Sequence, residues 1–329
     1  MKTTLRNSLS RPWVRALLAL ILVFAIGCLF NADGAFARWS THRDMLRQVS
    51  VYGILACGMT LVIITGGIDL AVGSILGFCA VFFATLAIHR GWPIAAALPV
   101  VLLGGAACGL ASGALVTRWR LQPFVATLAM MVFARGLAKW FSGGQKISSA
   151  VQQADGTYAY VDLPPIFTWL DARLLWGNIS AVTLVFLGCV ALTWFVLNKL
   201  RYGRYLYATG GNDEAARLSG VPTIRARLLA YGLSGLFAAI AGICQTVQEQ
   251  QGDPEAGGSY ELTAIAIAVI GGNSLMGGRG GIGLTLMGAL TIGYLEKILS
   301  INAVPEASRL MLTGAIIVAA VLLQRRKAA

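Results

Sequence analysis

The residues of this sequence that could do chemistry are few, and they sit in polar islands between apolar runs. Asp69 is the first. It lies in Thr65-Gly66-Gly67-Ile68-Asp69-Leu70-Ala71-Val72-Gly73-Ser74, between a glycine pair and the start of the next apolar run. A Gly pair there can break a helix and let two backbones approach closely. A carboxylate just before a helix is favoured by that helix's dipole. Two readings of Asp69 stay open. In one it caps a turn at the membrane surface. In the other it is a polar group at a broken helix inside a bundle, beside a solute path.

A second island reads Ile270-Gly271-Gly272-Asn273-Ser274-Leu275-Met276-Gly277-Gly278-Arg279-Gly280-Gly281. At an offset of 205 positions Gly66 meets Gly271, Gly67 meets Gly272, Leu70 meets Leu275 and Gly73 meets Gly278. A bundle with duplicated halves, each carrying a broken helix, would give this match. Two unrelated Gly-rich turns would give it too. Gly66, Gly67, Gly271 and Gly272 are the expected break points.

The third island, Gly203–Pro222, is the longest. It carries the start and stop signals of a short helix. Asn212 can cap it, Asp213 and Glu214 suit its positive end, and Gly220 and Pro222 end it. Ala215 and Ala216 are expected on its exposed side, where small residues let another protein come close. Arg204, Arg217, Arg225 and Arg227 flank it and can pair with acidic groups.

Other chemistries are missing from the pattern. The two histidines, His42 and His89, fall near the ends of apolar runs, and no Ser/His/Asp set follows from spacing. The six cysteines lie in apolar runs with no Cys-x-x-Cys pair, so neither a metal site nor a disulfide framework is expected. No Gly-x-x-x-x-Gly-Lys-Ser/Thr loop occurs, and Gly143-Gly144-Gln145-Lys146 does not fit one. A membrane-embedded enzyme lacks its nucleophile or metal here. A pump driven by ATP would need the nucleotide bound on another chain.

The elements that must position these islands are membrane helices. The chain has 329 residues, 57% hydrophobic and 12% charged, against about 25% charged in soluble domains. Runs near the roughly 20 residues of a spanning helix are Gln48–Ile68, Leu70–Ile88, Gly91–Thr117, Leu174–Asn198 and Leu228–Gln248. Shorter ones are Ala16–Phe30, Leu121–Ala134, Leu262–Gly278, Gly280–Leu295 and Leu310–Gln324. The fold class expected is an all-α integral membrane protein with about ten hydrophobic segments, eight to ten of them transmembrane helices and some broken or re-entrant. Ala16–Phe30 with Ala35-Phe36-Ala37 imitates a signal peptide, but an uncleaved first helix is the simpler reading. The net charge of +12 is spread over the chain, so it reads as an orientation signal rather than a nucleic-acid surface. With both termini cytoplasmic, 16 of the 26 Lys and Arg fall inside and 6 outside. Arg38, Arg43 and Arg47 are then an awkward outer cluster. Residues 1–329 read as one membrane domain, with 203–222 in the cytoplasm and 142–176 as an outer loop. Trp140, Trp169 and Trp176 anchor that loop at the interface. Arg135 lies within an apolar setting, so it must snorkel or find a partner. Small residues recur in two spans, at Gly104, Gly105, Ala106, Ala107, Gly109 and Gly113, and at Gly232, Ser234, Gly235 and Gly242. They read as helix-contact faces.

Together the three islands resemble the permease subunits of bacterial ABC importers for ribose, xylose, arabinose, galactose and related solutes, over about residues 45–323. Gly58–Ser74, Gly203–Asn212 and Tyr260–Ala266, leading into the Gly271 motif, carry the likeness. Ala71 departs from it, since the family often has Ser there. The resemblance implies a multi-pass protein of the bacterial inner membrane, in contact with lipid. It implies a coupling loop for a separate ATPase subunit at Asn212, Asp213, Glu214, Ala215, Ala216, Arg217, Leu218, Ser219 and Gly220. It also implies a periplasmic sugar-binding protein and a second permease subunit, identical or closely related. ATP and Mg would be bound by the partner ATPase, with no cofactor in this chain and no enzymatic site. A neutral monosaccharide or polyol would need uncharged hydrogen-bonding groups on its path. Asn178, Gln245, Gln248, Asn273 and Ser274 are the candidates, with Asp69. The rival expectation is an ion-coupled secondary transporter, for which Asp69 alone stands near mid-bilayer.

Overall fold

In the computed structural model the described residues are 11–152 and 156–324. Lys2, Arg6, Arg325, Arg326 and Lys327, counted above for orientation, lie outside them. In chain order the helices are α1 (Pro12–Leu29), α2 (Trp39–Ile64), α3 (Val72–Ala84), α4 (Ile94–Thr117), α5 (Pro123–Ser142), α6 (Pro165–Asp171), α7 (Ala181–Asn198), α8 (Arg201–Gly211), α9 (Asp213–Leu218), α10 (Thr223–Glu249), α11 (Tyr260–Gly271), α12 (Ile282–Ile301) and α13 (Glu306–Gln324). A π-turn over Thr85–His89 extends α3. Eight of the helices, counting that extension, are long and apolar enough to cross a membrane. The chain is an all-α integral membrane protein. Within lipid only structures that satisfy their own backbone groups can span, and helices do so.

Helix α10 is the central post and packs against α2, α3 and α4. Its contact with α4 is backbone on backbone. A Cβ added at Gly109 would lie 2.2 Å from the Tyr231 carbonyl oxygen, and one at Gly235 would lie 2.2 Å from the Gly105 carbonyl oxygen. The small residues read from the sequence are this crossing. Lipid gives helices no net hydrophobic drive to associate, so close van der Waals contact supplies it instead.

Several element ends differ from the apolar runs, each for a local reason. Helix α2 begins at Trp39 and takes in Arg43 and Arg47. The first donates to the Gly177 carbonyl at 2.8 Å and the second pairs with Asp171. Asp44 pairs with Arg173 at 3.2 Å. Arg43 and Arg47 of the awkward basic cluster therefore bind the 143–180 loop, which holds α6 and two short hairpins, Ala150–Gln152 with Tyr158–Tyr160 and Arg173–Leu174 with Ile179–Ser180. Helix α5 runs on through Arg135 because Arg135 has partners. Its Nη1 donates to the Pro254 carbonyl and, at 2.8 Å, to that of Ala256.

Those carbonyls belong to a segment that turns back into the bundle after α10. A Cβ on Gly257 would lie 2.2 Å from the carbonyl oxygen of Gly73, in the first turn of α3. Helix α11 thus starts inside the bundle and is only 12 residues long. The salt bridges Lys139–Glu255 (2.7 Å) and Lys146–Asp253 (2.9 Å) fasten the segment from outside. The hydrogen bond from Lys139 holds the Glu255 carboxyl below its ordinary value, and the one to Asp253 holds Lys146 above its own.

Candidate functional site

The island 203–222 forms two helices, not one, hinged at Asn212. That residue is extended (φ −161°, ψ 105°), which ends α8 and starts α9. Its side-chain oxygen accepts the Ala215 N–H at 3.0 Å, the cap expected from sequence. Gly220 closes α9 at φ +79°. Glu214, Ala215, Arg217 and Leu218 face outward, with Leu218 78% exposed. Ala216 does not join Ala215 on that face. It is buried, because successive helical residues point about 100° apart. Arg204 and Arg225 are exposed, while Arg227 pairs with Asp213 at 3.3 Å and ties α9 to the base of α10.

Directly behind α9, three chain segments meet backbone to backbone. Gly210, near the end of α8, sits on the last residue of α2. A Cβ there would lie 1.8 Å from the Ile64 carbonyl oxygen and 2.6 Å from the Gly278 nitrogen. That same carbonyl accepts the Gly278 N–H at 2.9 Å. A Cβ on Gly277 would lie 2.9 Å from the Gly66 Cα and 2.7 Å from the Gly210 carbonyl oxygen. The break after α2 and the loop after α11 are therefore in contact with each other and with the strut that carries α9.

Both expected breaks occur at the glycine pairs. Helix α2 stops at Ile64, and Gly66 turns the chain at φ +78°. Helix α11 stops at Gly271, and Gly272 turns it at φ +107°. The turning glycines are Gly66 and Gly272, one position off the 205-residue alignment. Gly67 abuts the Tyr231 hydroxyl, and Gly271 abuts the Leu284 carbonyl of α12.

Asp69 is fully buried in the first break. It accepts the Ala71 N–H at 3.0 Å and the Ser234 hydroxyl of α10 at 2.7 Å. The Tyr231 hydroxyl donates to the neighbouring Ile68 carbonyl at 3.3 Å. Asp69 is thus an interior group that closes the turn ahead of α3 and is held by α10. A cleft of about 640 Å³ opens between α9, the α4–α5 turn, the base of α10 and Thr65–Gly67.

The other expected path residues fall in three places. Asn178 lies in the 143–180 loop and accepts the Trp39 indole N–H at 2.7 Å. Gln245 and Gln248 lie near the far end of α10. The first donates to Glu249, and the second donates to the Arg47 carbonyl at 3.1 Å. Asn273 and Ser274 lie in the loop after α11. Asn273 donates to the Ala268 carbonyl and the Thr285 hydroxyl, both at 2.9 Å, and accepts the Gly281 N–H at 2.7 Å. The Ser274 N–H donates to the Arg279 carbonyl at 3.1 Å.

The structure also brings Tyr52 and Tyr260 together, with Gln245, Glu249 and Glu296 acting on the pair; of these only Gln245 stands out from spacing. The signal was present for Glu296, a carboxyl in an apolar helix. It lies just past the run Gly280–Leu295, so it was read as the run's end. Among the described residues no group of three or more His, Cys, Asp or Glu could hold a metal ion.

A family model described as "Branched-chain amino acid transport system / permease component" matches residues 43–321. The ribose import permease protein RbsC of Escherichia coli (strain K12) is 35% identical to this chain, over 98% of it and 97% of RbsC. The fructose import permease protein FrcC of Rhizobium meliloti is 34% identical, over 95% of this chain and 85% of its own. The xylose transport system permease protein XylH of Escherichia coli (strain K12) is 31% identical, over 94% and 89%.

Proposed function

We propose, from the premise that this chain belongs to the family of permease components of branched-chain amino acid type transport systems, that it is the membrane-spanning subunit of an ATP-driven importer for a neutral monosaccharide or polyol. As a permease component it is a transport subunit rather than an enzyme. Its partners in this reading are an ATPase subunit that binds ATP and Mg, a periplasmic sugar-binding protein and a second permease copy or close paralogue. The α9 end faces the cytoplasm of a bacterium, and the 143–180 loop faces the periplasm.

The observation that carries the reading is the exposed, capped α9 resting on the glycine junction. The ATPase grips Asn212–Gly220. A push on α9 travels through Asp213–Arg227 to α10, and through Gly210 to the ends of α2 and α11. Packed backbones cannot compress, so the push must tilt helices rather than be absorbed. ATP binding in the partner thereby biases a bundle with two arrangements. Branched-chain amino acids in the family's description and sugars in the relatives' names leave two solute classes. The relatives favour the sugar.

The test is reconstitution in liposomes with the ATPase and binding protein, followed by uptake of labelled ribose, xylose, fructose and leucine. ATP-dependent sugar uptake is expected. Uptake by the permease alone under a proton or sodium gradient would sink the reading in favour of a secondary transporter.

A further inference from the structure

Tyr52 of α2 and Tyr260 at the start of α11 meet inside the bundle, with ring centroids 4.5 Å apart and planes at 57°. The Tyr260 hydroxyl faces both the Tyr52 hydroxyl and the Gln245 amide of α10. Gln245 donates to Glu249. The carboxyls of Glu249 and of Glu296 on α12 both act on the two tyrosine hydroxyls. Five hydrogen-bonding side chains from four helices thus converge. Gln245 is 8% exposed, Tyr52, Tyr260 and Glu296 are half-buried and Glu249 is exposed, so the group is an edge of the interior rather than its sealed core. Polar groups at such a place are costly and mark solute pathways.

We infer that Tyr52, Gln245, Glu249, Tyr260 and Glu296 form a hydroxyl-binding recess that a neutral sugar or polyol occupies in transit. The inference rests on the permease reading above and adds the side chains that would touch the solute. The chemistry suits a polyol on two counts. Carboxyl and amide oxygens accept hydroxyl hydrogen bonds, while a phenol ring covers the C–H face of a sugar. The charges also disfavour an amino acid. Its carboxylate would meet the exposed Glu249 carboxylate, and like charges cost affinity. Of the nearby basic groups, Arg309 acts on Glu296, and Arg47 is turned to Asp171.

The test uses the full importer in liposomes with labelled D-ribose, D-xylose and L-leucine. Tyr52→Phe, Tyr260→Phe, Glu249→Gln and Glu296→Gln are near-isosteric changes. Each lost hydrogen bond of about 1 kcal/mol should raise the sugar KM about fivefold. The rise should differ between ribose and xylose, which present their hydroxyls differently, while ATPase association stays at the wild-type level. Wild-type uptake of leucine and of no sugar would remove the permease reading itself for sugars. Wild-type sugar uptake with an unchanged ribose-to-xylose KM ratio in all four assembled variants would overturn the recess alone. Equal loss for both sugars together with a lowered thermal midpoint, or failure of all four variants to assemble, would assign the group to structure and overturn it as well.

Discussion

Gly210 and Gly211 are adjacent in one helix, and the structure gives them opposite fates on substitution by alanine. A Cβ at 210 would sit 1.8 Å from the Ile64 carbonyl oxygen, 2.9 Å from its carbon and 2.6 Å from the Gly278 nitrogen. All three are backbone atoms, so no side chain can swing aside. Contacts under 3.0 Å are essentially never seen, so α8 must back away from α2 by more than about 1 Å. The Cβ also intrudes between the Ile64 oxygen and the Gly278 nitrogen, so the Gly278 N–H bond to that oxygen, now 2.9 Å, stretches or breaks. Overpacking costs about 1–3 kcal/mol, and a buried donor left unpaired costs about 1–3 kcal/mol more. Gly210→Ala should therefore lose about 2–6 kcal/mol at the junction, against the 5–15 kcal/mol that typically holds a fold. At Gly211 an added Cβ meets nothing within 4 Å. Gly211→Ala should be neutral, or gain up to about 1 kcal/mol of helix propensity.

The two variants are compared as purified permease–ATPase complexes. Thermal unfolding in detergent reads the junction, and ATP-dependent uptake in liposomes reads coupling. Gly210→Ala should lower the unfolding midpoint and separate ATP hydrolysis from uptake, while Gly211→Ala keeps both. A Gly210→Ala protein with a wild-type midpoint and normal uptake would refute the junction. So would a Gly211→Ala protein damaged as badly as its neighbour.

Three further outcomes follow from single contacts. Asn212→Ala removes the oxygen that caps Ala215 and should cost α9 about 1 kcal/mol. This should appear as a severalfold weaker ATPase association in co-purification, restored by Asn212→Asp. Asp69→Ala strands the Ser234 hydroxyl and the Ala71 N–H, at about 1–3 kcal/mol each. Asp69→Asn can still accept from one and donate to the other, so its detergent midpoint should stay near wild type; equal damage from both would assign the role to charge instead. Arg135→Ala removes both hydrogen bonds that Nη1 makes to the Pro254 and Ala256 carbonyls, and should expose residues 250–259 to added protease while Glu255→Gln, in an exposed pair worth under about 1 kcal/mol, does not.

Much of this architecture was legible because lipid imposes a simple grammar. Charge-free runs gave the spans, and the small residues on two of them marked contact faces, though that the two faces meet as the α4–α10 crossing is visible only in the structure. The cap and stop of α9 could be read because Asn212, Asp213, Glu214 and Gly220 act within one turn of where they stand. What escaped was whatever depends on a distant partner. Arg135 looks like a helix end until Pro254 and Ala256 come back to meet it. Arg43 and Arg47 look misplaced until Gly177 and Asp171 receive them. The sequence could mark Gly210, Gly277 and Gly278 as small, but the reason lies in Ile64 and Gly66, far along the chain. Glu296 was hidden by a boundary, since a run that stops at a charge treats that charge as outside.

The junction also explains why two breaks occur at the end of the bundle where α9 stands. An unbroken helix resists bending along its whole length, because each peptide is bonded to the next turn. A break with a turning glycine on each side concentrates the freedom in a few dihedrals. Gly66 and Gly272 supply that freedom at the ends of α2 and α11, and Tyr231 and Ser234 of α10 hold the first break at Ile68 and Asp69. A displacement of α9 reaches both breaks through backbone contact at Gly210 and Gly277 and reaches α10 through Asp213–Arg227. Helices α2, α10 and α11 are the ones that bring Tyr52, Gln245, Glu249 and Tyr260 together at the other end of the same levers. Loosening Gly210 should therefore weaken coupling without altering which solute is chosen. Altering Tyr260 should change the choice without altering the grip on the ATPase. A single variant that moved both would mean that the two ends are not mechanically separate, and that the junction is a point of folding rather than of transmission.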